Sequence, residues 1–216
     1  DDTNTSVASR DAKKFKEEYE SLNDTIRESD GAKYNNVTIN EDNPIKYIDV
    51  KEAIEILKNK KGIIYIGANW CPWCRNAVPV LFDVAKSRSI DIIYYLNLDD
   101  EKDNFEIKNG TLIKTKEGTE SYYELLELLK DELEDYILTD DKGKEYDTKE
   151  KRIYIPLVIA TKDGKVEATH TGTVTLNKDQ TKYSPLTEDQ RKELYDIYDN
   201  MFAKIYKKAF CNDKCN

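Results

Sequence analysis

The chain has 216 residues and a formal net charge of −9, with 38% of its positions hydrophobic and 36% charged. That length allows one elaborated domain or two small ones, and the surplus of negative charge argues against a nucleic-acid partner. Few glycines and prolines beside 15 tyrosines speak against pervasive disorder, and no apolar run approaches the length of a membrane-spanning helix.

Taken in chain order, residues 1–8 are polar. From Ser9 onward Phe15, Tyr19, Leu22 and Ile26 recur at helical spacing, until Ser29-Asp30-Gly31 breaks the pattern. Val37-Thr38-Ile39 fits a short strand and Asn43-Pro44 a boundary. Residues 1–43 are therefore expected to form an N-terminal helical extension, and 44–216 the main domain. Ile45 to Val50 reads as a strand, and Ala53, Ile54, Ile56 and Leu57 as the apolar face of a helix that ends near Lys61-Gly62. Ile63 to Ile66 is a short apolar run of the kind that forms a buried strand. After Cys74 a helix carries Ala77, Val78, Leu81, Phe82 and Ala85, and Ile92 to Leu96 reads as another buried strand that ends at Asp99-Asp100. Strands alternating with helices predict an α/β domain with helices on the sheet faces.

An insertion at about 103–151 interrupts this order, and the spacing predicts that it is helical. Ser121 with Glu124 has capping-box spacing. Tyr122, Leu125, Leu126, Leu129, Leu133 and Tyr136 would form the apolar face, with the acidic run Asp131 to Asp135 solvated. Asp140 to Gly143 reads as a turn. Ile153 to Ala160 is then a strand, Lys162-Asp163-Gly164-Lys165 a hairpin turn, and Val166 to Thr171 the partner strand. A last helix is expected from Thr187, with Gln190 at capping-box spacing and Leu194, Ile197, Tyr198, Met201 and Ile205 on its inner face. A tail over 206–216 follows.

The chemistry is concentrated in Asn69-Trp70-Cys71-Pro72-Trp73-Cys74-Arg75. A strand that delivers Cys71 to a helix start places its sulfur among unpaired backbone N–H groups and the positive end of the helix dipole. Both favour the thiolate, the form that attacks disulfides. Cys74, one turn on, can close a ring with Cys71 and expel a mixed-disulfide partner. The pair reads as a thiol–disulfide exchange site. The alternatives are a structural disulfide, or half of a zinc site completed by Cys211 and Cys215; a helical second cysteine fits a zinc knuckle poorly.

These residues resemble the thioredoxin-like family. Cys-Pro-Trp-Cys after a strand, Pro79 inside the following helix, and Leu96-Asn97-Leu98-Asp99 at a strand end resemble that family's pattern. So do Ile155-Pro156 with the apolar run after it, the Lys-Asp-Gly-Lys-Val turn, and Gly172. The resemblance covers about 45–100 and 153–205. It is nearest to Gram-positive thioredoxin-like proteins labelled bacteriocin transport accessory proteins, which share Cys-Pro-Trp-Cys-Arg, a long insertion and a segment like Arg152-Ile153-Tyr154-Ile155-Pro156.

The resemblance implies a thioredoxin-like fold with a central four- or five-stranded mixed sheet flanked by helices. Cys71 would be the nucleophile and Cys74 the resolving cysteine. A cis bond at Pro156 would let the Ile155 backbone pair with an extended peptide; an edge-strand or bulge proline is the alternative. Trp70, Pro72 and Trp73 would help to position the substrate, although Trp70 equally suits packing against the rim and Trp73 is expected to be exposed. Arg75 is expected to be a solvated helix residue, and His170 a surface residue at a strand end. Tyr65 and Tyr95 stand where thioredoxins carry a buried aspartate and its lysine partner. Water or a tyrosine hydroxyl would have to replace that proton route, or the enzyme would run mainly in one direction.

Cys211 and Cys215 suit a structural disulfide on the tail, with a second redox pair as the alternative. An even number of cysteines in two close pairs suits an oxidising compartment. With Asp1 first and Met201 the only methionine, the expectation is a processed or trimmed chain. The expected protein is an extracytoplasmic, exported monomer, with a membrane anchor through a missing N-terminal segment left open. It would act on protein or peptide cysteines with an unidentified redox partner and would need no metal or cofactor. The rival expectation is a non-enzymatic accessory or peptide-binding module of a secretion system.

Overall fold

The structure is a computed structural model and describes residues 7–207. Its centre is a five-stranded mixed sheet in the order β1-β3-β2-β8-β9. β1 (Ile45–Tyr47) and β2 (Gly62–Ile66) both run parallel to β3 (Ile93–Leu96). β8 (Leu157–Lys162) pairs antiparallel with β2, and β9 (Lys165–Thr171) antiparallel with β8. Helices cover both faces, as the alternating pattern predicts.

Period-two alternation along each strand divides the core into two layers. Ile63, Tyr65, Ile93, Tyr95, Val158 and Ala160 face α1 (Val7–Glu20), α3 (Pro72–Ser87) and α5 (Glu188–Ala203). Ile64, Ile66, Leu96, Leu157 and Ile159 face α2 (Val50–Asn59) and α4 (Glu120–Leu129). The caps are local. Asp49 closes a capping box on α2 with Glu52, and Thr187 closes one on α5 with Gln190, as the sequence predicts. Asp163 and Gly164 both have positive φ (52° and 78°) and make the tight primed turn between β8 and β9. A side chain at Gly164 would also press on the Lys58 carbonyl, 3.0 Å from where its Cβ would sit.

Several boundaries differ from the sequence reading. α1 stops at Glu20, so Leu22 and Ile26 are not on it, and Ile26 is 65% exposed. Residues 37–39 form no named strand, yet Val37 and Ile39 are buried. β1 is three residues long because Asp49 caps α2 and Val50 already belongs to that helix. Ile153 to Pro156 lie outside any strand, and β8 begins at Leu157.

The insertion is the largest departure, because most of its regular structure is β. β4 (Asn104–Lys108) and β5 (Thr111–Lys116) form one hairpin, and β6 (Glu134–Thr139) and β7 (Glu145–Arg152) another, with α4 between them. Thr119, not Ser121, caps α4 by accepting from the Tyr122 N–H. A 3-10 turn at Lys130–Glu132 ends the helix. Leu133 therefore falls beyond it, and Tyr136 lies on β6, where the Arg152 guanidinium stacks 4.2 Å from its ring centre. The acidic run is split between the 3-10 turn and β6, not laid along a helix face. Buried Asp103 and Arg152 close the base of the insertion with a 2.7 Å ion pair.

Phe15 and Tyr19 of α1 are buried in the same layer as Tyr65, Leu81 and Tyr95. The N-terminal segment is thus an integral wall of the core on the α3 side of the sheet.

Candidate active site

β2 ends at Ile66, and Cys71 is the N-cap of α3, in extended backbone conformation, with Pro72 in the first helical turn. Proline suits that place because its missing N–H would have no helical partner there. The Cys74 N–H donates to Cys71 Sγ at 3.3 Å. Both thiols are unbridged and buried: Cys71 is 3% exposed and Cys74 not at all. Cys71 Sγ also lies 3.8 Å from the Ile155 carbonyl oxygen, across from the Ile155–Pro156 peptide, which is cis. The Pro156 carbonyl in turn accepts from the Gly172 N–H at 2.8 Å, holding the segment against the end of β9.

The two sulfurs are electrostatically unequal. The Cys74 thiol, with the backbone N–H groups of Cys74 and Trp73 and more distant Arg27, holds the Cys71 thiol below its ordinary value against the opposing effect of burial. Burial, then the neighbouring Cys71, pushes Cys74 well above. Such a pair has one sulfur that ionises more readily and one protonated reserve. The rate of Cys71 alkylation by iodoacetamide should therefore rise with pH through an apparent pKa below that of a free cysteine, about 8.5. Cys74→Ala removes the largest depressing influence and should move that midpoint upward. A wild-type midpoint at or above that of a free cysteine would contradict the assignment. The linked stability has the same sign: the Cys71 contribution is present above the unfolded thiol's pKa and is lost as pH falls through the folded one.

The other expected site residues gather round this pair in different ways. Trp70 is half-buried; its indole N–H donates to Asp99 Oδ2 at 2.8 Å, and Lys102 Nζ sits 5.3 Å over the ring. Trp73 is half-buried rather than exposed. With Tyr154, Ile155, His170, Val174 and Ile197 it lines a groove of about 630 Å³ beside the dithiol. His170 accordingly faces this groove, half-buried, its Nε2 2.7 Å from the Thr173 carbonyl. Cys211 and Cys215 lie outside the described residues. Among those that are described, no group of His, Cys, Asp and Glu is arranged to hold a metal ion.

No family model matches the chain, and no curated protein matches it.

Arg75 departs furthest from expectation. It is 1% exposed, not solvated. Its guanidinium donates to the carbonyl oxygens of Asn35 (2.7 Å), Tyr19 (2.8 Å) and Asn69 (3.1 Å) and to Asn23 Oδ1 (2.7 Å), and the Tyr34 ring lies 5.4 Å away. A cation in the first turn is unfavourable to the helix dipole, and the side chain leaves α3 to tie the N-terminal segment down beside the dithiol. Sequence reasoning also missed Arg27 and Lys102, both of which act on Cys71 electrostatically, and Tyr19, whose hydroxyl meets that of Tyr65 at 2.7 Å. Helical spacing marks Tyr19 as a core residue, but nothing local in the sequence ties it to Cys74.

Proposed function

We propose that the chain is a thioredoxin-like thiol–disulfide oxidoreductase acting on protein or peptide cysteines outside the cytoplasm. The observation that carries this reading is the unequal dithiol at the start of α3, with Cys71 Sγ facing the Ile155 carbonyl ahead of Pro156. A five-stranded mixed sheet flanked by helices is compatible with that fold family. Cys71 attacks one sulfur of a substrate disulfide, and the other leaves as a thiolate. Cys74 then attacks the Cys71 sulfur, closing the internal disulfide and releasing the second substrate sulfur. The reverse sequence oxidises a substrate dithiol. Ile155 and Pro156 position an extended peptide by strand-like pairing, and the apolar groove beside Trp73 takes a neighbouring side chain.

The two directions differ in reduction potential. A stabilised Cys71 thiolate favours the reduced protein and so an oxidising poise; the raised Cys74 opposes this. Equilibration in graded glutathione buffers, followed by peptide mapping, measures the outcome. The expected result is that Cys71 and Cys74 pass together from dithiol to disulfide, with the midpoint naming the direction. A pair that stays reduced across the whole range sinks the reading.

The 3% exposure of Cys71 favours a second reading, a peptide-binding accessory module for a secretion system that performs no exchange. Peptide binding with no covalent capture at Cys71 would select it.

A further inference from the structure

The insertion reaches the substrate side of the dithiol through one short segment. β7 ends at Arg152, and residues 153–156 run on outside any strand to the Ile155 carbonyl, which lies 3.8 Å from Cys71 Sγ. Arg152 is fixed from three directions. Its Nη1 donates to Asp103 just ahead of β4, at 2.7 Å to Oδ1 and 3.2 Å to the carbonyl, and to the Tyr122 hydroxyl on α4 at 3.3 Å. Its guanidinium also stacks 4.2 Å from the ring centre of Tyr136 on β6. The Tyr136 ring in turn meets Phe105 of β4 edge-on at 5.7 Å and Tyr154 edge-on at 6.5 Å. Both hairpins and α4 thus converge on the stretch just before Ile155. Ile153 in that stretch is buried, whereas Tyr154 beside it keeps 37% of its surface exposed. A lone exposed aromatic is ordinary, but this one continues an apolar surface: it lines the groove beside the dithiol with Trp73, Ile155, Val174 and Ile197. Among the described residues that line the groove, Glu193 is the one carboxylate, and no Lys or Arg is present.

We propose that the insertion is part of the substrate site: it presents the Tyr154 ring to the groove, and that ring selects peptides with a large apolar side chain next to the reacting cysteine. This rests on the exchange reading and names a substrate class for it. Ile155 belongs to both places, since its carbonyl faces Cys71 Sγ and it also lines the groove. A peptide whose cysteine is joined to Cys71 therefore brings its adjacent residue, about 3.3 Å further along an extended chain, to the mouth of the groove. The groove, at about 630 Å³, is roomy enough for an aromatic side chain. Its aromatic and aliphatic walls reward such a side chain by burial and by ring contact. An acidic side chain would instead meet Glu193 with no lining cation to offset it. Tyr154 touches the substrate and determines specificity. Tyr136 and Arg152 act through it and are positioning residues.

Covalent trapping in a Cys74→Ser background tests the preference. The peptides differ only beside their cysteine: phenylalanine before it, phenylalanine after it, or alanine on both sides. Each is carried as a thiopyridyl disulfide, so attack by Cys71 on the peptide sulfur expels thiopyridone, which absorbance follows; mass spectrometry maps the adduct. One or other phenylalanine peptide should be trapped at least about tenfold faster than the alanine peptide at low concentration. The gain should lie in the half-saturating concentration and not in the limiting rate. Tyr154→Ala should cut this ratio at least about threefold, Tyr154→Phe should keep it, and Tyr136→Ala should lower it by a smaller factor. Ile113→Ala, at an exposed position of β5 away from the groove lining, should leave it alone. Because the ratio compares two peptides on one protein, general damage to the dithiol or the fold cancels. A wild-type ratio near one overturns the proposal, as does an unaltered ratio in Tyr154→Ala or an equal fall in Ile113→Ala. An unaltered ratio in Tyr136→Ala overturns the insertion's share in it, and if Tyr154→Ala does not fold, that variant decides. Trapping without selectivity overturns this inference alone. Failure of every peptide to form a mixed disulfide at Cys71 overturns the exchange reading and this inference with it.

Discussion

Cys71→Ser is expected to abolish disulfide exchange, and Cys74→Ser to stop it halfway with the substrate covalently held on Cys71. A serine hydroxyl at the start of α3 keeps the N-cap, so the fold should survive. It is not ionised at neutral pH, however, and cannot serve as the nucleophile in exchange. The loss should be complete within detection. Cys74→Ser leaves Cys71 able to attack but supplies nothing to expel the substrate, so a mixed disulfide accumulates that mass spectrometry can map. The same variant removes the thiol that most strongly depresses Cys71, so trapping should be slower at neutral pH than the first step of the wild type. Retained turnover in Cys71→Ser would move the chemistry elsewhere, and trapping at Cys74 in the Cys71→Ser form would reverse the assigned roles.

Arg75→Ala should be the most destabilising single change near the site, although it touches no reacting atom. The guanidinium satisfies four carbonyl oxygens on the loops that join α1 to β1 and β2 to α3 and at the end of α1. Alanine takes this donor from the buried Tyr19 carbonyl and the half-buried Asn35 and Asn69 carbonyls, while Asn23 Oδ1 keeps the Val37 N–H. Charged hydrogen bonds of this kind are worth about 1.5–3 kcal/mol each but do not add, so a total loss of about 3 kcal/mol is expected. For a domain of this size that lowers Tm by roughly 6–12 °C. Arg75→Lys should recover only part, because a point charge cannot span the same acceptors. Thermal denaturation measures the loss, and faster limited proteolysis within 21–40 should accompany it. A change below about 0.5 kcal/mol, as for an ordinary surface position, would mean that the clamp does not hold the segment.

The three inner strands of the central sheet were legible because they are short, largely apolar runs bounded by turn residues: Ile63 to Ile66, Ile92 to Leu96 and the run after Pro156. The dithiol was legible from two cysteines at fixed spacing between a strand and a helix. The insertion was not, because Leu129, Leu133 and Tyr136 continue a helical spacing past the point where the backbone turns. Cross-strand pairing and the stack of Tyr136 on Arg152 decide there, and neither leaves a local signature. Arg75 was misread for a related reason. A long cation in a first turn looks solvated until the carbonyls of Tyr19, Asn35 and Asn69 are seen converging on it from segments distant in sequence.

The chain has two tryptophans, and both flank the dithiol. Trp70 is fixed by Asp99 and lies under Lys102, while Trp73, between the two cysteines in sequence, lines the wall of the groove. Indole emission therefore originates entirely at this one place. A change in the covalent state of the sulfurs, or a peptide arriving in the groove, registers in the intrinsic fluorescence of the unlabelled protein, with no other indole to dilute the signal.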